Sequence, residues 1–193
     1  MQQAQELGEA LRLDPALLAA RIELAEILRA KDPKAGLKLL DEAADWQKKA
    51  LAFITARNWT LFALNDGVAA RQGVDAALAL GRTPEVLYQD AVLRYVKKDF
   101  AGARTLLEEA LSQNPEHMAA LNLLAQSYAE QGNNAKAIEI VQQYAAKKPS
   151  SPYLGSLIGI WQRYAHHLPE ARAAFLAVIA ANQIGRASCR ERV

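Results

Sequence analysis

The chain is poor in the residues that metal and thiol chemistry need. It has one cysteine, Cys189, and three histidines. A lone cysteine closes no disulfide within the chain, and a zinc site wants Cys and His in sets at short helical or turn spacings. His166 and His167 are adjacent, so their side chains point apart. His117 follows Pro115-Glu116 in a turn. All three read as solvated turn residues. Long apolar runs are missing too: none reaches the ~18 residues that span a bilayer. The opening stretch Met1-Gln2-Gln3-Ala4-Gln5-Glu6 is polar and holds no signal-peptide core, which leaves cytoplasm and periplasm both open. There is no glycine-rich phosphate loop, no Gly-x-Ser-x-Gly and no His-Glu-x-x-His. Asp41-Glu42 and Glu108-Glu109 read as solvated helix faces, since a glycosidase pair needs two carboxyls opposed across a cleft. The expectation is a chain that is not an enzyme, with no metal, no cofactor and no direct membrane insertion.

An excess of one charge is also lacking, once the end of the chain is set aside. The formal net charge is +2. The last ten residues, Ile184-Gly185-Arg186-Ala187-Ser188-Cys189-Arg190-Glu191-Arg192-Val193, follow no helical pattern. They read, codon for codon, as the translation of a short sequencing adapter, and Gln183 accommodates the two bases that precede it. A foreign tail is excluded from fold reasoning. It holds three arginines, one glutamate and the only cysteine, so the remainder carries as many acidic as basic side chains. An array that reads RNA needs a basic groove; with Lys and Glu mixed throughout, nucleic acid is not an expected partner.

What the chain does have is alanine, leucine and a period. Hydrophobic residues make up 51% of it, and the Ala and Leu share favours helix over strand. Lys98-Asp99-Phe100-Ala101-Gly102-Ala103-Arg104 aligns with Asn65-Asp66-Gly67-Val68-Ala69-Ala70-Arg71 upstream and with Gly132-Asn133-Asn134-Ala135-Lys136-Ala137-Ile138 downstream. Leu39-Leu40-Asp41-Glu42-Ala43-Ala44 echoes Leu106-Leu107-Glu108-Glu109-Ala110-Leu111. Equivalent positions fall at Ala10, Ala43, Ala77, Ala110, Tyr144 and Val178, a steady spacing of about 34 residues.

Within each period, small residues (Ala91, Ala103, Ala125, Ala137) let two helices approach closely, and Leu107, Leu111 and Leu124 fill the space between them. Pro115 and Pro149 close helices, and Gly132 supplies a left-handed residue after a helix end. Leu121, Leu124-Ala125 and Tyr128, then a Gly132-Asn133-Asn134 turn, then Ala137 and Val141, resemble the tetratricopeptide repeat. The likeness is sharpest from Pro84 to Pro149. It implies an all-α fold, a right-handed α-solenoid of antiparallel helix pairs with about five units. Their expected bounds are 1–17 (partial), 18–50, 51–83, 84–117, 118–151 and 152–183. The chain opens inside one unit and stops where a closing proline is due, which is what a fragment of a longer array would do. Open ends of that kind invite end-to-end self-association.

The resemblance also implies a function. First helices of such arrays line a concave groove, and projecting that pattern places Thr55, Trp59, Phe62, Tyr88, Tyr95, Asn122, Gln126, Glu130, Arg163 and Tyr164 there. Aromatic anchors and amides together suit an extended peptide. Trp59, Phe62 and Tyr95 are equally readable as core between helices. Where some family members clamp a carboxylate with cations, this chain has Tyr88 and Asn122, so that clamp is incomplete. The expected role is a non-catalytic scaffold that binds a peptide or partner helix. The Ala- and Leu-rich style also resembles bacterial tetratricopeptide lipoproteins of exopolysaccharide or exosortase-linked systems. That likeness implies an alternative, a structural spacer or regulatory arm of a larger envelope or secretion protein or of an enzyme.

Overall fold

A computed structural model describes residues 2–190, with side chains described through Ala181. The whole of the segment 184–193 read as foreign therefore lies outside the described side chains. Every regular element among the described residues is helical. The chain divides into two compact units, one ending at Leu93 and one beginning at Arg94.

The first unit holds α1 (Gln2–Leu13), α2 (Leu18–Arg29), α3 (Pro33–Asp41), a single turn α4 (Asp45–Lys48), α5 (Leu51–Ala63), α6 (Gly67–Leu80) and most of α7 (Pro84–Val96). Neighbours in sequence pack as neighbours in space: α1 on α2, α2 on α3, α5 on α6, with α5 also against α2 and α3. Ala25, Leu40, Ala43 and Phe53 form one buried cluster, and Leu61, Ala70, Val74 and Leu93 another. Helix α4 has no counterpart in the sequence expectation. It exists because Gln47 is drawn inside. The Gln47 side chain accepts from the Ala44 amide at 3.1 Å and donates to the Ala16 carbonyl at 3.0 Å. Both are backbone groups that burial would otherwise leave unsatisfied.

The second unit holds α8 (Phe100–Gln113), α9 (Met118–Ala129), α10 (Asn134–Lys147), α11 (Pro152–Tyr164) and α12 (Leu168–Arg190). Here α8 packs on α9, α9 on α10, α10 on α11 and α11 on α12. Ala103, Leu107, Ala110, Ala120, Leu121, Ala125, Ala137 and Val141 are fully enclosed. Alanine at the crossing points is what permits this. Where even alanine is too large the chain has glycine: a Cβ added at Gly159 would stand 2.7 Å from the Phe175 ring.

One turn design recurs in both units. Asn65, Lys98, Gly132 and His166 have φ between 57° and 78°, in the left-handed region that closes a helix. The next residue, Asp66, Asp99, Asn133 or His167, donates its amide to a carbonyl five residues back: Leu61, Arg94, Tyr128 and Gln162. Three of these residues then cap the following helix. The Asp66, Asp99 and Asn133 side chains accept from the amides of Ala69, Gly102 and Lys136 at 2.9–3.1 Å. Only one of the four left-handed residues is glycine.

Candidate functional site

The first helix of each pair supplies the side chains of interest. In the first unit, α5 and α7 bring Trp59, Phe62 and Tyr88 together. The Trp59 ring lies 5.1 Å from Phe62 and 5.5 Å from Tyr88, centre to centre, within the range of favourable aromatic pairs. Trp59 Nε1 donates to Glu85 Oε1 at 2.5 Å. All three rings are half-buried, and burial, with the Glu85 charge behind it, raises the Tyr88 phenol above its usual range. Thr55 turns its hydroxyl back to its own helix, donating to the Ala52 carbonyl at 3.0 Å. The three rings pack on one another, Trp59 is also tied to Glu85, and Thr55 bonds its own helix.

Beneath them lies a buried polar chain. Asn58 Nδ2 donates to Gln89 Oε1 at 2.9 Å, and Gln89 Nε2 donates to the Thr55 carbonyl at 2.9 Å. A cavity of about 450 Å³ opens beside Asn58, lined by Asp41, Lys48, Phe53, Ile54, Arg57, Gly73 and Ala76. Its charges are already matched, with Arg57 Nε 3.0 Å from Asp41 Oδ1 and Lys48 near Asp45.

The second unit is different. An open cavity of about 370 Å³ lies between α9 and α11, lined by Asn122, Gln126, Ala129, Glu130, Asn134, Trp161 and Tyr164. Four of the sequence candidates, Asn122, Gln126, Glu130 and Tyr164, come together here. Asn122, Glu130 and Tyr164 are exposed and Gln126 half-buried. Trp161, at 5% exposure, forms the floor. Its Nε1 donates to Asn122 Oδ1 at 3.1 Å, so the amide oxygen is taken and the Nδ2 donors stay available. The Trp161 and Tyr164 rings lie 5.6 Å apart. Trp161 and Asn134 are not among the sequence candidates, although Trp161 stands three residues before Tyr164, on the same helix face.

Tyr95 and Arg163 do not line the cavity. Tyr95 packs edge-on to Phe100 at 5.3 Å. Its phenol oxygen is shielded from water with no partner at hydrogen-bond geometry, yet the Glu130 carboxylate is close enough to act on it. Burial first, and Glu130 second, push the Tyr95 phenol up to about 12. Arg163 is exposed.

The histidines serve the backbone. His117 Nδ1 accepts from the Ala120 amide at 3.2 Å as the cap of α9, His166 holds a left-handed turn, and His167 Nδ1 sits 2.9 Å from Gln162 Oε1. Among the described residues no three His, Cys, Asp or Glu gather in a way that could hold a metal ion, and no helix is long and apolar enough to cross a membrane.

Comparison with known proteins places this geometry. The tetratricopeptide repeat model matches residues 97–159. Among solved structures, PilF of Pseudomonas aeruginosa is 17% identical, with a TM-score of 0.64 over 85% of this chain and 76% of that one. YrrB, a TPR protein with an unusual peptide-binding site, is 15% identical, with a TM-score of 0.55 over 92% of this chain and 93% of that one. MamA from Desulfovibrio magneticus RS-1 is 21% identical, with a TM-score of 0.54 over 84% of this chain and 96% of that one. No curated protein matches by sequence. The likenesses establish the fold, an all-helical array of packed helix pairs of the tetratricopeptide kind.

Proposed function

We propose, for a chain that carries tetratricopeptide repeats at residues 97–159, that it is a non-catalytic scaffold which holds an extended peptide or partner helix against the first helices of its pairs. The observation that carries this reading is the open cavity between α9 and α11. Asn122 offers its Nδ2 donors, and Gln126 and Asn134 line the cavity with further amides. Trp161 and Tyr164 offer aromatic area beside them. Amides meet the main chain of a ligand and aromatics seat its side chains, the division of labour that peptide grooves use. That YrrB has a peptide-binding site on the same fold is in keeping with it.

Thr55, Trp59, Phe62 and Tyr88 lie in the first unit and are read as a candidate surface of their own. Their mutual packing is also what a spacer would have, and it favours the alternative role for that stretch of the array. The two roles separate in one experiment. Random peptides displayed on phage are selected against the full chain, and the enriched peptides are titrated by fluorescence polarisation. Asn122→Ala and Tyr164→Ala should each weaken binding by roughly ten-fold, about 1.4 kcal/mol, with circular dichroism unchanged. Trp59→Ala should weaken it less. Failure to enrich any peptide, or binding by both variants as tight as by wild type, leaves the spacer as the better account.

A further inference from the structure

The cavity between α9 and α11 has a carboxylate that no cation answers among the described residues. Of the residues that line it, Glu130 alone is a carboxylate and none is a cation. Some exposed carboxylates have cations at hand, Asp41 with Arg57, Asp99 with Arg94, Glu116 with Lys148 and Glu139 with Lys136, while Glu26, Glu42 and Glu108 face open solvent; Glu130 differs from these in lining a cavity. Glu130 makes no ion pair among the described residues, and the group behind it is the neutral Tyr95 phenol, itself shielded from water.

The position sharpens the point. Glu130 is the C-cap of α9, and Tyr164 is the last residue of α11. A helix C-terminus is the negative end of the helix dipole, so an anion there is disfavoured and a cation favoured. Two such ends meet the cavity, together with a carboxylate. The α10 N-terminus next to them is already capped by Asn133 onto Lys136. The one exposed aromatic ring on the rim, Tyr164, is 65% exposed, and such a face attracts ammonium and guanidinium groups.

We propose that the partner of this cavity presents a lysine or arginine side chain, its cation against Glu130 and its stem or guanidinium on the Tyr164 ring, while the amides of Asn122, Gln126 and Asn134 hold the main chain around it. This rests on the peptide-binding reading above and names the chemistry of the residue that is read.

The same random peptide library is selected in parallel against the wild-type chain, Glu130→Gln and Glu130→Lys. Position 130 is exposed, so all three fold alike, and circular dichroism verifies it. Wild type should enrich peptides with a basic residue at one fixed place. Those peptides should bind Glu130→Gln roughly ten-fold more weakly and lose affinity as salt rises. Glu130→Lys should turn the preference toward acidic residues. Peptides that need Asn122 and Tyr164 but carry no basic residue, or bind Glu130→Gln as well as wild type, overturn this proposal and leave the groove standing. Peptides indifferent to Asn122→Ala and Tyr164→Ala overturn both.

Discussion

Replacing Gly73 with alanine sets two effects of opposite sign against each other. Gly73 lies inside α6, where alanine is the better helix former by about 0.8–1.0 kcal/mol. On that ground alone the substitution stabilises. The Cβ, however, would stand 1.9 Å from Asn58 Oδ1 and 2.9 Å from its Cγ. The Asn58 side chain must rotate away. It is 1% exposed, and its Nδ2 holds Gln89 Oε1 at 2.9 Å. Breaking that bond inside the fold strands polar groups at about 1–3 kcal/mol, and the displaced atoms add an overpacking strain of similar size. The sum is a destabilisation of roughly 1–4 kcal/mol after the helix gain is subtracted. Urea unfolding followed by circular dichroism measures it. Gly8→Ala is the control, because nothing lies within 4 Å of a Cβ there, and it should stabilise. Adding Asn58→Ala to Gly73→Ala should recover part of the loss, since the clash disappears with the amide. If Gly73→Ala behaves as Gly8→Ala does, the reasoning is wrong and the Asn58 amide is free to move.

Three further outcomes follow from the geometry. The Tyr95 phenol ionises at about 12 in the fold against 10.0 in the unfolded chain, so the fold prefers the protonated form; its stabilisation is complete below pH 10 and lost as pH rises through 12. Tyr95→Phe should therefore lose less stability than wild type across that window in urea titrations. Lys98 occupies a left-handed conformation at φ 63°, so Lys98→Gly should stabilise by about 1 kcal/mol, visible as a higher unfolding midpoint. Arg104 stacks 3.7 Å over the Tyr128 ring, donates to Ser127 Oγ at 2.8 Å and to the Ser127 carbonyl at 2.6 Å, and reaches Gln131; Arg104→Lys, which keeps the charge but loses the planar fork, should lower the thermal midpoint, and an unchanged midpoint would mark the cluster as incidental.

The repeat itself was legible in the sequence, because it rests on alanine spacing and on Asp or Asn at each turn, and both are local. Gly132 announced a left-handed turn; Asn65, Lys98 and His166 did not, since a side chain at such a position leaves no compositional mark. Helix α4 was not legible: Gln47 looks like a surface residue until two backbone groups far apart in sequence, the Ala16 carbonyl and the Ala44 amide, prove to need it. In the site, the groove pattern that the family resemblance implies picked out Asn122, Gln126, Glu130 and Tyr164, all on first helices. It could not separate Tyr95, whose ring turns toward Phe100, from a residue facing the cavity. Trp161 was hidden by its own burial, as a floor contributes to a site through what it orients.

The recurring turn has a consequence for how the chain comes into being. Its closing bonds join residues five positions apart or fewer, and its caps reach three. A hairpin specified over so short a stretch waits for nothing distant, and contacts of low sequence separation form fastest. As the chain leaves the ribosome, each pair of helices can bend back on itself once its own turn has emerged, and the next pair then finds a finished surface to settle on. Growth by whole hairpins, in synthesis and in gene duplication alike, is built into those few residues.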